Sequence, residues 1–150
     1  MSHPLRSSRR KAFRVAALAA LGAQGLPAQS GGWRPKKEAV GGAIRSGNLL
    51  FLSGIGGWYP ERRPKPGDVR EQTADALNIM KETLAKAGSS MDQVLKVQVS
   101  LVDPEKNLEP MNEVYVRFFA KPLPVRSYFG TTGFRRPGQL LQIDCIAHVD

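Results

Sequence analysis

Hydrophobic and polar positions along the chain follow two rhythms. Ala43-Ile44 and Leu49 to Ser53 flank Ser46-Gly47-Asn48, a turn signal, and predict a β-hairpin. Gly54 to Gly67 is rich in glycine and proline and reads as a loop. The period then changes to three and four. Val69, Thr73, Ala76, Leu77, Met80, Leu84 and Ala87 form one stripe of an amphipathic helix. Asp68 stands before it as an N-cap, Glu71 completes a capping-box arrangement, and Gly88 follows as a C′ residue. Next, Leu95, Val97, Val99 and Leu101 alternate with Lys96, Gln98 and Ser100, which marks a strand with one face on a core.

Pro104 to Phe119 reads as a second helix, with Leu108, Met111, Val114, Tyr115, Phe118 and Phe119 on its apolar face. Pro110 inside this stretch puts the start of the regular helix there, because proline is best tolerated in a first turn. Val125 to Thr131 is a short strand and Gly133 to Gly138 a turn-rich loop. Leu140 to Val149 is the last strand, with Leu141, Ile143, Cys145, Ala147 and Val149 on one face. The order β-β-α-β-α-β-β predicts an α+β single domain, a sheet covered by two helices on one face. The other sheet face, with Leu140, Ile146 and Tyr128 assigned to it, lacks a cover and predicts burial against another subunit.

Composition changes the picture mainly at the N-terminus. The chain has 150 residues, 41% hydrophobic and 23% charged, with a formal net charge of +9. That length suits one domain. Arg6, Arg9, Arg10, Lys11 and Arg14 fall within residues 1–28, which hold no acid. The basic excess therefore comes mostly from that end. Val15 to Leu26 is apolar but shorter than the roughly 20 residues a membrane-spanning helix needs. It fits the hydrophobic region of an export signal, with small residues at Ala23, Gly25 and Ala28 for cleavage, and Ser8-Arg9-Arg10 resembles a twin-arginine motif. Residues 1–28 are accordingly read as a targeting segment, 29–38 as a linker and 39–150 as the folded domain. The expected address is export to the periplasm. A mitochondrial-type presequence, or a misplaced start on a cytoplasmic protein, fits the same residues.

The remaining chemistry is spare. One cysteine and two histidines at opposite ends exclude a disulfide framework and argue against a metal site. Cys145 reads as a core thiol and His148 as exposed. Arg62-Arg63 and Arg135-Arg136 read as solvated loop pairs, and no basic surface interleaved with aromatics is visible, which argues against nucleic acid as a partner.

Six segments in register resemble the RidA/YjgF family. Ser46-Gly47-Asn48-Leu49-Leu50-Phe51-Leu52-Ser53-Gly54 is similar to its opening strand pair, and Glu71-Gln72-Thr73 with Ala76-Leu77-Asn78 to its first helix. Ala87-Gly88-Ser89-Ser90, Met111-Asn112-Glu113-Val114-Tyr115 with Phe118-Phe119, Pro124-Val125-Arg126-Ser127 and Gln142 to Ala147 supply the rest. The resemblance implies a chorismate-mutase-like fold, a homotrimer with sites between subunits, and no metal or organic cofactor. It implies hydrolysis of reactive enamines and imines, such as 2-aminoacrylate, to 2-keto acids and ammonia. Other members are described as ribonucleases or translation inhibitors.

Carried over by position, Arg126 and Asp144 are the catalytic candidates, and Arg126, Tyr128, Gly54, Ile55 and Asn112 the substrate-binding ones. Asp144 stands where deaminating members have Glu, Tyr128 where many have Cys, and Ile55 where many have Gln. A planar guanidinium can grip a carboxylate through two parallel hydrogen bonds. A carboxylate can orient a water against a C=N carbon and take its proton. Asp144 has the parity of the uncovered face, with Gln142, Ile146 and His148, and Arg126 is read as projecting to that side too. The alternatives are a structural ion pair of Arg126 with Asp144, a non-catalytic trimer that binds small carboxylates, and, third, a ribonuclease or translation inhibitor.

Overall fold

The computed structural model describes residues 36–62 and 64–150. Residues 1–28, read above as a targeting segment, and the part of the expected linker up to residue 35 lie outside the described residues. Eight main elements follow in order: β1 (Glu38–Val40), β2 (Ala43–Ser46), β3 (Leu49–Ile55), α1 (Val69–Lys86), β4 (Val94–Val102), α2 (Pro104–Tyr115), β5 (Val125–Thr131) and β6 (Leu141–His148). The six strands make one sheet in the order β1-β2-β3-β6-β4-β5. Every neighbouring pair is antiparallel except β4 and β5, which α2 connects in parallel.

Three differences from the sequence reading have local causes. Glu38, assigned to the linker, begins an extra strand, β1, which pairs with β2 across Gly41-Gly42. Those glycines adopt φ +57° and +94°, the left-handed backbone that a tight two-residue hairpin requires. The second helix starts at Pro104, not Pro110: Pro104 occupies the first turn, where its missing N–H costs nothing, and the helix continues through Pro110. It ends at Tyr115, where the chain tightens into shorter-range bonds from Arg117 N–H to the Val114 carbonyl and Phe118 N–H to the Tyr115 carbonyl.

The first helix forms as its pattern dictates. Asp68 accepts from the Glu71 N–H at 3.0 Å, and the Glu71 carboxylate accepts from the Asp68 N–H at 3.1 Å. Its stripe of Val69, Thr73, Ala76, Leu77, Met80 and Leu84 is buried. These side chains meet Leu50, Leu52, Val97, Val99, Leu101, Leu141, Ile143, Cys145 and Ala147 on the inner face of the sheet, and Met111 and Tyr115 of α2 complete the core. Burial on this scale is the main source of the fold's stability.

The opposite sheet face is open. Phe51 pairs with Ile146, Ile146 with Lys96, and Lys96 with Val125; Asp144 pairs with Gln98 and Gln142 with Ser100, which pairs with Phe129. Leu49, Phe51, Val125 and Phe129 are 39–68% exposed there.

Candidate functional site

Register decides which way each candidate points. In the parallel pair, Val97 lies beside Arg126 and Val99 beside Tyr128. Val97 and Val99 are fully buried beneath the helices. Arg126 and Tyr128 therefore share the helix-covered face, while Asp144, beside Gln98, lies on the open face. This corrects the expectations that Arg126 and Asp144 project to one side and that Tyr128 and Leu140 belong to the uncovered face: Tyr128 follows Arg126 in phase, and Leu140 packs against the core. Val125, Tyr128 and Phe129 put apolar residues in both parities of β5, so alternation alone does not set its phase.

On its own face Arg126 sits in a cradle made by one turn of α2. Its Nη2 donates to Asn112 Oδ1 at 2.8 Å and its Nη1 to Met111 Sδ at 4.0 Å. Its Cζ lies 4.4 Å from the centre of the Tyr115 ring, a cation–π contact. Tyr115 stands four residues after Met111 and three after Asn112, the two spacings that make side chains neighbours on a helix surface, so it links the two around the guanidinium. Arg126 is exposed, and among the described residues no carboxylate forms a salt bridge with it. The ion pair of Arg126 with Asp144 is thus absent within the protomer. Two of the five N–H groups of the guanidinium are engaged, which leaves donors for an anion. Tyr128, 47% exposed, lies two residues further along the same face.

Asp144 is half-buried on the open face. Burial pushes its carboxyl above the ordinary range, against the pull of the Lys96 charge. The irregularity of β3 between Leu52 and Ile55 settles the other two candidates. Ile55 pairs with Ile143 and packs against the core. Gly54 lies under the Gln142 side chain, where an added Cβ would collide with Gln142 Nε2. The candidates are thus divided between two faces of one chain: Arg126, Asn112 and Tyr128 on the helix-covered side, and Asp144 with Gln142 on the open face.

Several residues outside the predicted set shape these surroundings. Met111 and Tyr115 read as core positions in the helix pattern; the pairing of β5 with β4 is what brings Arg126 against them. Gln72 is fully buried. Its Nε2 donates to the Gly138 carbonyl at 2.8 Å and the Gly67 carbonyl at 3.2 Å, and its Oε1 accepts from Leu140 N–H at 2.8 Å. It stitches the loop before α1 to the loop before β6. Arg62 is not a free loop cation, since it lies 3.0 Å from both Glu71 and Asp75. Cys145 is buried, and burial first, then the Asp144 charge, pushes its thiol up to about 12, so it is neutral and unsuited to nucleophilic attack at ordinary pH. His148 is half-buried, with Nδ1 3.6 Å from Asp150 Oδ1, rather than freely exposed. No cluster of metal-ligating side chains occurs among the described residues.

Sheet order, helix placement and the cradled edge-strand guanidinium define an α+β protein of the chorismate-mutase-like class. Residues 35–149 match the family described as endoribonuclease L-PSP. The chain belongs to this family, the RidA/YjgF family. It is 34% identical over 107 residues to the mitochondrial protein mmf2 of Schizosaccharomyces pombe, covering 70% of this chain and 83% of that one. It is 33% identical over 106 residues to the chloroplastic Reactive Intermediate Deaminase A of Arabidopsis thaliana, covering 70% of this chain and 56% of that one. A crystal structure of a YjgF-family protein from Neisseria meningitidis superposes with a TM-score of 0.64 at 28% identity, over 73% of this chain and 86% of that one.

Proposed function

We propose that this protein hydrolyses reactive 2-imino acids and their enamine tautomers to 2-keto acids and ammonia, as a homotrimer with its sites at the seams. The observation that carries this reading is the guanidinium of Arg126, oriented by α2, exposed on an edge strand and without a carboxylate partner among the described residues. Such a group is ready for the carboxylate that every 2-imino acid carries. The name of the Arabidopsis relative supports the same chemistry.

Since Arg126 and Asp144 point from opposite faces, a site that uses both joins Arg126 of one protomer to Asp144 of the next. The exposed apolar residues of the open face support that assembly. In the reaction, Arg126 holds the substrate carboxylate and Tyr128 lies along the substrate side chain. The Asp144 carboxylate takes a proton from water as the water oxygen bonds to the C=N carbon of the protonated imine. The resulting carbinolamine loses ammonia: its nitrogen takes back the proton from Asp144, the C–N bond breaks as the hydroxyl proton passes to the freed Asp144 carboxylate and on to solvent, and the keto acid remains. Asn112 holds the guanidinium steady. No step requires a metal or an organic cofactor.

The test is release of keto acid and ammonia from a freshly generated 2-imino acid, across several side chains. Wild type accelerates it and Arg126→Ala loses most of the acceleration; equal rates would overturn the role of Arg126. Saturable keto-acid binding without turnover would instead indicate a carboxylate-binding trimer. For residues 1–28, the organelle names of the two relatives support the presequence reading over export. The mass of the mature N-terminus from fractionated cells distinguishes the two.

A further inference from the structure

We propose that Tyr115 is the positioning residue of the site: the face of its ring sets the Arg126 guanidinium in the plane and direction in which it receives a carboxylate. The inference rests on the reading of Arg126 as the carboxylate anchor and extends it to a residue buried beneath. An arginine exposed on an edge strand samples many rotamers, and ordering it on binding weakens affinity. Here the ordering is already made. The guanidinium carbon lies 4.4 Å above the Tyr115 centroid, inside the roughly 6 Å range of a cation–π contact. The ring itself is immobilised: Tyr115 is 2% exposed and packs on Phe119 with centroids 4.8 Å apart and planes tilted 41°.

The polar end of Tyr115 plays no part in this. Its hydroxyl is buried without a hydrogen-bond partner among the described residues. Burial, opposed by the Arg126 charge, pushes the phenol up to about 12, so it is neutral. What this position supplies is therefore a π-face and not a proton or a hydrogen bond. Asn112 restrains one edge of the guanidinium at 2.8 Å and the ring restrains its plane. The remaining N–H groups stay free for the ligand.

The experiment uses the full chain and separates ring electronics from shape. Position 115 is occupied in turn by phenylalanine (Tyr115→Phe) and by singly and multiply fluorinated phenylalanines, whose shape is nearly constant while the negative face of the ring weakens. Tyr115→Leu removes the ring. Two readouts are taken: the chemical shifts of the isotope-labelled Arg126 guanidinium, assigned with Arg126→Ala, and the Kd of 2-oxobutanoate as the carboxylate probe. Tyr115→Phe is expected to keep both. Fluorination is expected to weaken 2-oxobutanoate binding stepwise, roughly tenfold at the most fluorinated ring. In Tyr115→Leu the ring-current shift of the guanidinium is expected to vanish. Affinity and guanidinium shifts that stay constant across the fluorinated series would overturn the role of Tyr115. If wild type fails to bind 2-oxobutanoate, the carboxylate reading fails, and the guanidinium shifts alone then judge whether Tyr115 orders Arg126. Should Tyr115→Leu not fold, the fluorinated series decides.

Discussion

Arg126 and Asp144 lie on opposite faces of one sheet, Arg126 beside the buried Val97 and Asp144 beside the open-face Gln98. No rotamer change carries one side chain through the sheet to the other. A reaction that uses both needs two protomers. Mixing therefore discriminates: Arg126→Ala and Asp144→Ala, each inactive alone, are expected to regain activity when unfolded and refolded together. In a closed ring of randomly mixed subunits, roughly a quarter of the seams then hold both native groups. A mixture no more active than its parents would show that the two residues do not share a site.

The open face provides a second test. Phe51 and Phe129 are 40% and 55% exposed, with Val125 at 68% on the same face. Replacing Phe51 or Phe129 by Glu puts a charge where the proposal needs dry contact, and desolvating an unpaired carboxylate is costly. Phe51→Glu or Phe129→Glu is expected to sediment as a monomer while keeping its far-ultraviolet circular dichroism. A variant that stays the size of wild type at micromolar concentration would place the interface elsewhere.

Gln72 governs stability rather than chemistry. Its side chain makes three bonds to backbone of two loops while fully buried. Gln72→Leu keeps the volume but leaves the Leu140 N–H and the Gly67 and Gly138 carbonyls without that partner. Unsatisfied buried groups cost about 1–3 kcal/mol each, so a loss of roughly 3 kcal/mol is expected. Urea denaturation measures it; a change below ~1 kcal/mol would mean that water or loop movement replaces the amide.

Much of this architecture was legible from residue pattern. The capping box of Asp68 and Glu71 and the stripe from Val69 to Leu84 are local signals, and α1 forms as they dictate. The parity of β6 was equally plain, because Leu141, Ile143, Cys145 and Ala147 alternate with polar or less buried neighbours. Gly41-Gly42 is the local hairpin signal for β1, a strand of three residues too short to show an alternation of its own. The orientation of Arg126 was a different matter. It depends on pairing between β4 and β5, a contact across a helix, in a strand whose apolar residues occupy both phases. Tyr115 presented the same difficulty: an aromatic on the core stripe of α2 reads as packing until β5 is laid against it. The six segments in register pointed to Arg126 and Asp144 but carried no information on which face each occupies.

Lys96 stands two residues before Gln98 on the open-face parity of β4, adjacent in register to Ile146. Its charge pulls the Asp144 carboxyl down while burial pushes it up, and burial wins. If Asp144 works as the base, turnover requires its ionised form, so kcat/KM falls as pH drops through its raised pKa. Lys96→Met removes the charge that favours ionisation. The pKa then rises further, and the acid limb of the pH profile moves to higher pH. Added salt acts in the same direction on wild type, by screening Lys96, and has less effect on the variant. A limb that stays in place in Lys96→Met, while Asp144→Asn still abolishes turnover, would show that Asp144 does not titrate in the rate-determining form of the enzyme and serves only to orient the water.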